Sequence, residues 1–215
     1  VGKEALSEQH FDAAYRRAFI RNIQRAVAEK KLDEQMLSYD LEKMAGALAP
    51  ERDDLLRYLG METLHDRYFI RDNKKSVLET PQYLWMRVAM GLALQEKRKE
   101  VKALEFYEMI SLLRFVPSTP TLFHAGTLHP QLSSCYLNTV DDDLDNIFKV
   151  YGANAQMSKW AGGIGTAWTN IRGTGAVIKK AGITSQGVIP FLKIANDVTV
   201  AINRSGRRRG ATAVY

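Results

Sequence analysis

The sequence predicts a chain in two parts, an all-helical N-terminal domain over residues 1–116 and a mixed α/β region over residues 117–215. Before residue 117, apolar side chains recur at helical spacing, the longest stripe being Phe11, Tyr15, Phe19, Ile23 and Val27. At Pro117 the composition changes to a loop rich in Pro, Thr, Gly and His that extends to Pro130. Beyond it, short apolar runs alternate with glycine turns, among them Gly162-Gly163-Ile164-Gly165 and Arg172-Gly173-Thr174-Gly175.

The length, 215 residues, suffices for one large domain or two small ones with a real core. Hydrophobic content of 46% with 25% charged residues is that of an ordinary globular chain. No apolar run approaches the span of a bilayer, and Val1-Gly2-Lys3-Glu4 opens no secretory signal. The missing initiator methionine implies a gene that starts further upstream. One cysteine, Cys135, rules out a disulfide within the chain and fits a reducing cytoplasm. Thirty Lys and Arg against 24 Asp and Glu give a net charge of +6, which suits anionic partners from nucleotides to nucleic acid. Except at Arg204 to Arg209, that charge is dispersed as a solvated surface.

Residues 7–29 form a helix whose wet faces carry Arg16, Arg17, Arg21 and Arg25, read as scaffold rather than as a membrane or phosphate-backbone surface. Shorter helices follow at 39–48, 51–58 and 61–68, broken near Pro50 and Gly60, with Tyr58, Tyr68 and Phe69 assigned to the core. Thr80-Pro81 is a helix start, threonine as cap and proline at the first position where its missing N–H costs nothing. That helix runs to about Leu94 and pairs with one over 99–114 that buries Ala103, Phe106, Ile110 and Leu113. Pro117-Ser118-Thr119-Pro120-Thr121 is expected to be non-helical, and its hydroxyls suit either a phosphate or plain turn chemistry.

Ser134 to Asn138 reads as a short buried strand carrying Cys135, where a lone cysteine is by default a small inert core residue. His124 and His129 lie upstream, but without zinc-ligand spacing. Asp141-Asp142-Asp143 precedes a helix with Leu144, Ile147, Phe148, Tyr151 and Ala155 on one stripe. One acid suffices as a cap, and a second has the chemistry to accept a ribose hydroxyl. Gly162 to Gly165 is neither a P-loop nor a dinucleotide fingerprint, yet lets a ligand approach the backbone closely. A further helix begins over Gln186 to Phe191, with Val188, Phe191, Ile194, Ala195 and Val198 on one face, and ends near Asn203. A basic loop, Arg204 to Gly210, then leads into a strand over Ala211 to Tyr215.

In their order and spacing, Pro117 to Thr121, Leu132-Ser133-Ser134-Cys135, Ala161 to Gly165, Ile171 to Gly175, Gly187-Val188-Ile189-Pro190-Phe191 and Arg207-Arg208-Arg209-Gly210-Ala211 closely resemble the large (alpha) subunit of ribonucleotide reductase. The resemblance spans residues 63–215 and is greatest to the class I aerobic enzymes. It implies an α+β or α/β fold in which a helical domain precedes the first strands and helices of the family's ten-stranded barrel. It implies that Cys135 is one of two cysteines supplying the reducing electrons. Thr119, Ser134, Gly162, Gly163 and Arg208 then bind substrate, while Asp142, Leu144, Ile147, Arg172 and Lys179 bind the allosteric effector. Lysine at 179 gives up the bidentate geometry that arginine would supply to a phosphate.

The same resemblance implies that this segment binds no metal or cofactor of its own, that (d)NTP effectors control it, and that a separate metal-containing small (beta) subunit supplies the radical. Thioredoxin or glutaredoxin resets the disulfide, and large subunits pair as homodimers in the cytoplasm, with no membrane involved. The second cysteine, the radical-bearing cysteine and an Asn/Glu pair belong to later strands of the family's barrel, so the 215 residues alone are expected to be inactive. No ATP-sensing cone is evident. Two other readings stand beside this one: a non-catalytic nucleotide- or nucleic-acid-binding module using Arg204 to Arg209, and a cobalamin-dependent reductase of the same superfamily.

Overall fold

The computed structural model describes residues 8–160, 162–178, 181–202 and 212–215. Ala161, Lys179 and the Arg204 to Gly210 loop with Arg208 lie outside the described residues. The chain divides into two compact units, Val1–Leu132 and Ser133–Tyr215.

Six helices make up the described part of the first unit: α1 (Glu8–Ala28), α2 (Leu41–Gly46), α3 (Tyr58–Thr63), α4 (Pro81–Ala93), α5 (Lys99–Ser111) and α6 (Thr119–His124). Short 3-10 turns at Glu34–Ser38 and Pro50–Leu55 and a π-helical turn at Leu64–Tyr68 connect them. The Thr80 hydroxyl caps α4 by accepting from the Tyr83 N–H, as its sequence predicts. Leu84, Met86, Val88, Ala89 and Met90 are all fully buried, which makes α4 the axis of the core. At Gly91 a β-carbon would stand 2.2 Å from the Gly126 backbone nitrogen, so only glycine permits this approach.

The most buried charge in the unit is Arg87, whose Nε lies 2.6 Å from Glu79 Oε1. Its other nitrogens donate to the carbonyls of Ala125 at 2.9 Å and Leu122 at 3.1 Å. Glu79 Oε2 in turn accepts the Ile70 N–H at 2.8 Å. Two desolvated charges are tolerated here because nearly every polar atom of the pair has a partner.

Several local expectations need correction. Thr119–His124 is helical, contrary to the non-helical reading of Pro117 to Thr121, because Pro120 falls in the first turn where no donor is needed. That helix packs Leu122 and Phe123 inward, so the segment after Pro117 belongs with the first unit, and the division falls at Leu132 and Ser133. The chain passes through Gly60 as helix, and the break comes at Leu56 and Arg57. Phe69 is buried, but Tyr58 is 79% exposed. Helix α5 stops at Ser111, and Leu113 takes a positive φ of 54° rather than a place in the helix.

The second unit is a parallel βαβ arrangement. Strands β1 (Cys135–Thr139), β2 (Gly163–Ala167) and β5 (Thr212–Val214) form a sheet in the order β1-β2-β5, all parallel. Helix α7 (Leu144–Lys159) is the crossover from β1 to β2, and α8 (Ile189–Ala201) leads into β5. Between β2 and α8 a small hairpin pairs β3 (Val177–Ile178) with β4 (Ile183–Thr184). Val140, Ile147, Val150, Tyr151, Trp168 and Ala195 form the core under the sheet. Strand β1 is not the buried strand its sequence suggests: Cys135, Leu137 and Thr139 are exposed and alternate with half-buried Tyr136 and Asn138. Among the described residues no helix is long and apolar enough to cross a membrane.

The Arg87–Glu79 pair sets a stability prediction. Glu79→Ala, which leaves a buried guanidinium uncompensated, is expected to cost about 3–5 kcal/mol in urea unfolding. Lys102→Ala, which breaks the exposed pair with Glu105, is expected to cost under about 0.5 kcal/mol.

Candidate functional site

The second unit carries two concentrations of the residues singled out in the sequence. The first lies on the sheet face opposite α7. In the parallel register Cys135 pairs with Gly163, Leu137 with Gly165 and Thr139 with Ala167, and paired residues share a face. On that face there is no side chain next to Cys135 on β2, while one step along the sheet Leu137 and Tyr215 cover Gly165. Cys135 is exposed, and its Sγ lies 3.7 Å from the Ser134 hydroxyl oxygen. The Ser134 carbonyl accepts the Gly163 N–H at 2.8 Å, which locks the start of β1 to the start of β2. Gly162 is buried beneath Tyr136, with 2.8 Å between the ring and the position of an added β-carbon.

The opposite face is tied to α7 by a polar chain. Asn138 Nδ2 donates to Asn154 Oδ1 at 2.6 Å, and Asn154 Nδ2 donates to the Thr166 hydroxyl at 3.1 Å. This chain fixes which side of β1 looks toward the helix, and so leaves the thiol on the other side.

The second concentration is at the N-terminus of α7. Sequence alone could not divide the labour among three successive acids, but the structure does. Asp143 caps the helix by accepting the Asn146 N–H at 3.0 Å. Asp141 is bound to the same asparagine, its N–H donating to Asn146 Oδ1 at 2.9 Å. Asp142 is left to accept from Arg172 Nε at 2.6 Å, each side chain being about a third exposed. These two residues with Asp143, Leu144, Ile147, Ile171, Ile178, Ser185 and Phe191 line an open pocket of about 460 Å³.

Four of the five residues expected at an effector site, Asp142, Leu144, Ile147 and Arg172, therefore converge on one cavity. The fifth, Lys179, lies outside the described residues. An apolar wall of Ile147, Ile171 and Phe191 beside a carboxylate and a guanidinium suits a ligand with a flat apolar part and a polar, anionic part. Sequence reasoning did not assign Ile171, Ile178, Ser185 or Phe191 to the pocket. Phe191 already stood on the helical stripe of α8, and Ile171 stood beside Arg172, so proximity was the available signal.

The backbone of the pocket wall is shaped by Gly187, which has a φ of +78°. Its hypothetical β-carbon would sit 2.5 Å from the Thr174 hydroxyl oxygen, and that hydroxyl donates to the Gln186 carbonyl at 3.1 Å. Of the substrate-side residues, Ser134 and Gly163 lie beside Cys135, whereas Gly162 is buried beneath Tyr136 on the other side of the strand. Thr119 stands at the start of α6 in the first unit, with its Oγ1 3.1 Å from the Tyr68 hydroxyl.

Comparison with known proteins gives the same division of the chain. A family model described as the ribonucleotide reductase all-alpha domain matches residues 54–130, and one described as the ribonucleotide reductase barrel domain matches residues 133–215. A ribonucleoside-diphosphate reductase subunit alpha of Chlamydia muridarum (strain MoPn / Nigg) is 50% identical over 219 aligned positions, covering 100% of this chain and 21% of that protein. The subunit alpha of Chlamydia pneumoniae is 51% identical over 189 positions, 87% of this chain and 18% of that protein. The subunit alpha of Helicobacter pylori (strain ATCC 700392 / 26695) is 44% identical over 177 positions, covering 82% and 22%. The chain thus spans about a fifth of the length of these relatives.

The placement of the thiol is open to a direct check. In the native 215-residue chain, Cys135 is expected to react with one equivalent of an aromatic disulfide reagent without denaturant. Labelling that required unfolding would contradict its place on the open sheet face.

Proposed function

Because the chain belongs to the ribonucleotide reductase family, as the all-alpha segment and the opening of the barrel of a large (alpha) subunit, we propose that it contributes one reducing thiol and the effector pocket to ribonucleoside-diphosphate reduction. The observation that carries this reading is Cys135, exposed beside a strand position that has no side chain. A ribose lying on Gly163 has room to bring its 2′-carbon to the sulfur, which a bulkier residue there would prevent.

In the full-length protein, Cys135 and a second thiol from outside these residues deliver two electrons and two protons. The 2′-hydroxyl leaves as water, the sulfurs end as a disulfide, and the product is a deoxyribonucleoside diphosphate. An external dithiol of the thioredoxin or glutaredoxin kind resets the pair by thiol–disulfide exchange, consistent with a reducing cytoplasm. A metal-containing small subunit supplies the radical that starts the reaction. Thr119 and Ser134 offer hydroxyls to the substrate, and Arg208 adds a cation from the basic loop.

The acidic and cationic rims of the second pocket suit a deoxynucleoside triphosphate. Asp142 accepts a sugar hydroxyl, Arg172 meets the phosphates with Lys179 as a second cation from the same stretch of chain, and Leu144 and Ile147 pack against the base. Entry of this ligand redirects Arg172 from Asp142 to phosphate. Exposed Leu144, Phe148, Ile189 and Val200 on α7 and α8 support pairing of two large subunits through these helices.

Three measurements test the reading. In the full-length large subunit with its small subunit, Cys135→Ser is expected to abolish deoxynucleotide formation while leaving triphosphate binding intact; continued turnover would sink the assignment. Asp142→Ala and Arg172→Ala are each expected to weaken deoxynucleoside triphosphate binding by at least about tenfold in equilibrium dialysis, the scale of a charge-assisted hydrogen bond. The 215 residues alone, given substrate, reductant and small subunit, are expected to form no product.

A further inference from the structure

Thr119, which the reading above assigns to the substrate, does not stand alone at the start of α6. The Tyr68 hydroxyl lies 3.1 Å from its Oγ1. The Tyr68 ring stacks on Phe123 in the next turn of the same helix, with centroids 4.7 Å apart and planes 23° from parallel. The tyrosine is thus fixed at both ends, ring and hydroxyl, against the element that carries Thr119.

The local backbone shows why Tyr68 can do this. Residues Leu64–Tyr68 form a π-helical turn closed by the Phe69 N–H donating to the Leu64 carbonyl at 3.0 Å, an i to i+5 bond. One extra residue in the turn rotates Tyr68 away from where an α-helix would put it, and such turns persist mainly where a side chain must be re-aimed. Just beyond it, the Ile70 N–H donates to Glu79, Glu79 holds Arg87, and Arg87 donates to the Leu122 carbonyl of α6 and to the Ala125 carbonyl just past its end. The turn and α6 are therefore held by a single buried ion pair, which fixes the distance that the two hydroxyls span.

We propose that Tyr68 is a positioning residue for Thr119, orienting its hydroxyl for the substrate's phosphate; this rests on the assignment of Thr119 to the substrate site. A hydroxyl has one proton and two acceptor sites. When Tyr68 donates to Thr119 Oγ1, the threonine proton is free to point at a phosphate oxygen, and the relay of two hydroxyls strengthens that bond. Without the tyrosine hydroxyl, Thr119 Oγ1 loses that donor, and its rotor is no longer biased outward. Phenylalanine at this position keeps the stack on Phe123 and removes only the donor.

The test uses the full-length large subunit with its small subunit and a ribonucleoside diphosphate as substrate. Tyr68→Phe is expected to raise KM by about 3- to 10-fold, the ratio an ordinary net hydrogen bond corresponds to, with kcat within about twofold and an unchanged unfolding midpoint. Thr119→Val is expected to raise KM at least as much, and Tyr68→Phe on top of it to add nothing. If Thr119→Val raises KM and Tyr68→Phe does not, the positioning role is overturned while the substrate role of Thr119 stands. If Thr119→Val leaves KM unchanged, the assignment of Thr119 itself fails and takes the proposal with it. A Tyr68→Phe effect that adds in full to that of Thr119→Val, or one accompanied by a lowered unfolding midpoint, would mark a purely structural residue and also overturn it.

Discussion

The second unit depends on the parallel pairing of β1 with β2. Parallel neighbours cannot be joined by a tight turn, so the chain must leave the sheet, form α7 and return. That one requirement produces both candidate sites. It brings Cys135 level with Gly163 on the face away from the helix, and it puts the acids that end the β1–α7 connection where Arg172, four residues past Trp168, can meet them. The Asn138–Asn154–Thr166 chain then fixes the sidedness, because slipping β1 by one residue would turn the thiol toward α7 and strand a buried amide.

In the first unit a buried ion pair has the comparable role. Arg87 and Glu79 would be expensive to desolvate separately, and together they join two backbone segments, one at Ile70 and one at the end of α6, Leu122 and Ala125. The close approach at Gly91 and Gly126 lets α4 lie against the end of α6. A short helix of six residues has little stability of its own, so its geometry is inherited from this support. The consequence is a fixed position for Thr119, which sits on an element too short to hold itself in place.

The ion pair between Asp142 and Arg172 stands at the mouth of the pocket under α7. Two opposite charges at 2.6 Å, each about a third exposed, stay partly hydrated and are free to exchange partners. A fully buried pair of this kind would resist a ligand, whereas a wholly exposed one would not hold the arginine near the carboxylate.

Much of the helical architecture was legible in the chain, because its signals are local. The Thr80-Pro81 start, the stripe through Phe19 and Ile23, and the crossover helix after Asp143 each follow from cap chemistry and spacing of 3.6 residues per turn. The family was legible only as ordered fragments, through resemblance, since no single fragment is diagnostic. What failed was decided by packing. Pro120 was read as a breaker, but it became the first turn of α6 once Arg87 supplied partners for that helix's last carbonyls. Tyr58 was read as core and is exposed, and β1 was read as buried and presents one bare face. From the chain by itself came which residues are chemically able to serve, because reactivity and cap preference reside in the side chain. Only the tertiary structure decided which of three acids is free to meet Arg172, and which face of β1 carries the sulfur, because both depend on partners distant in sequence.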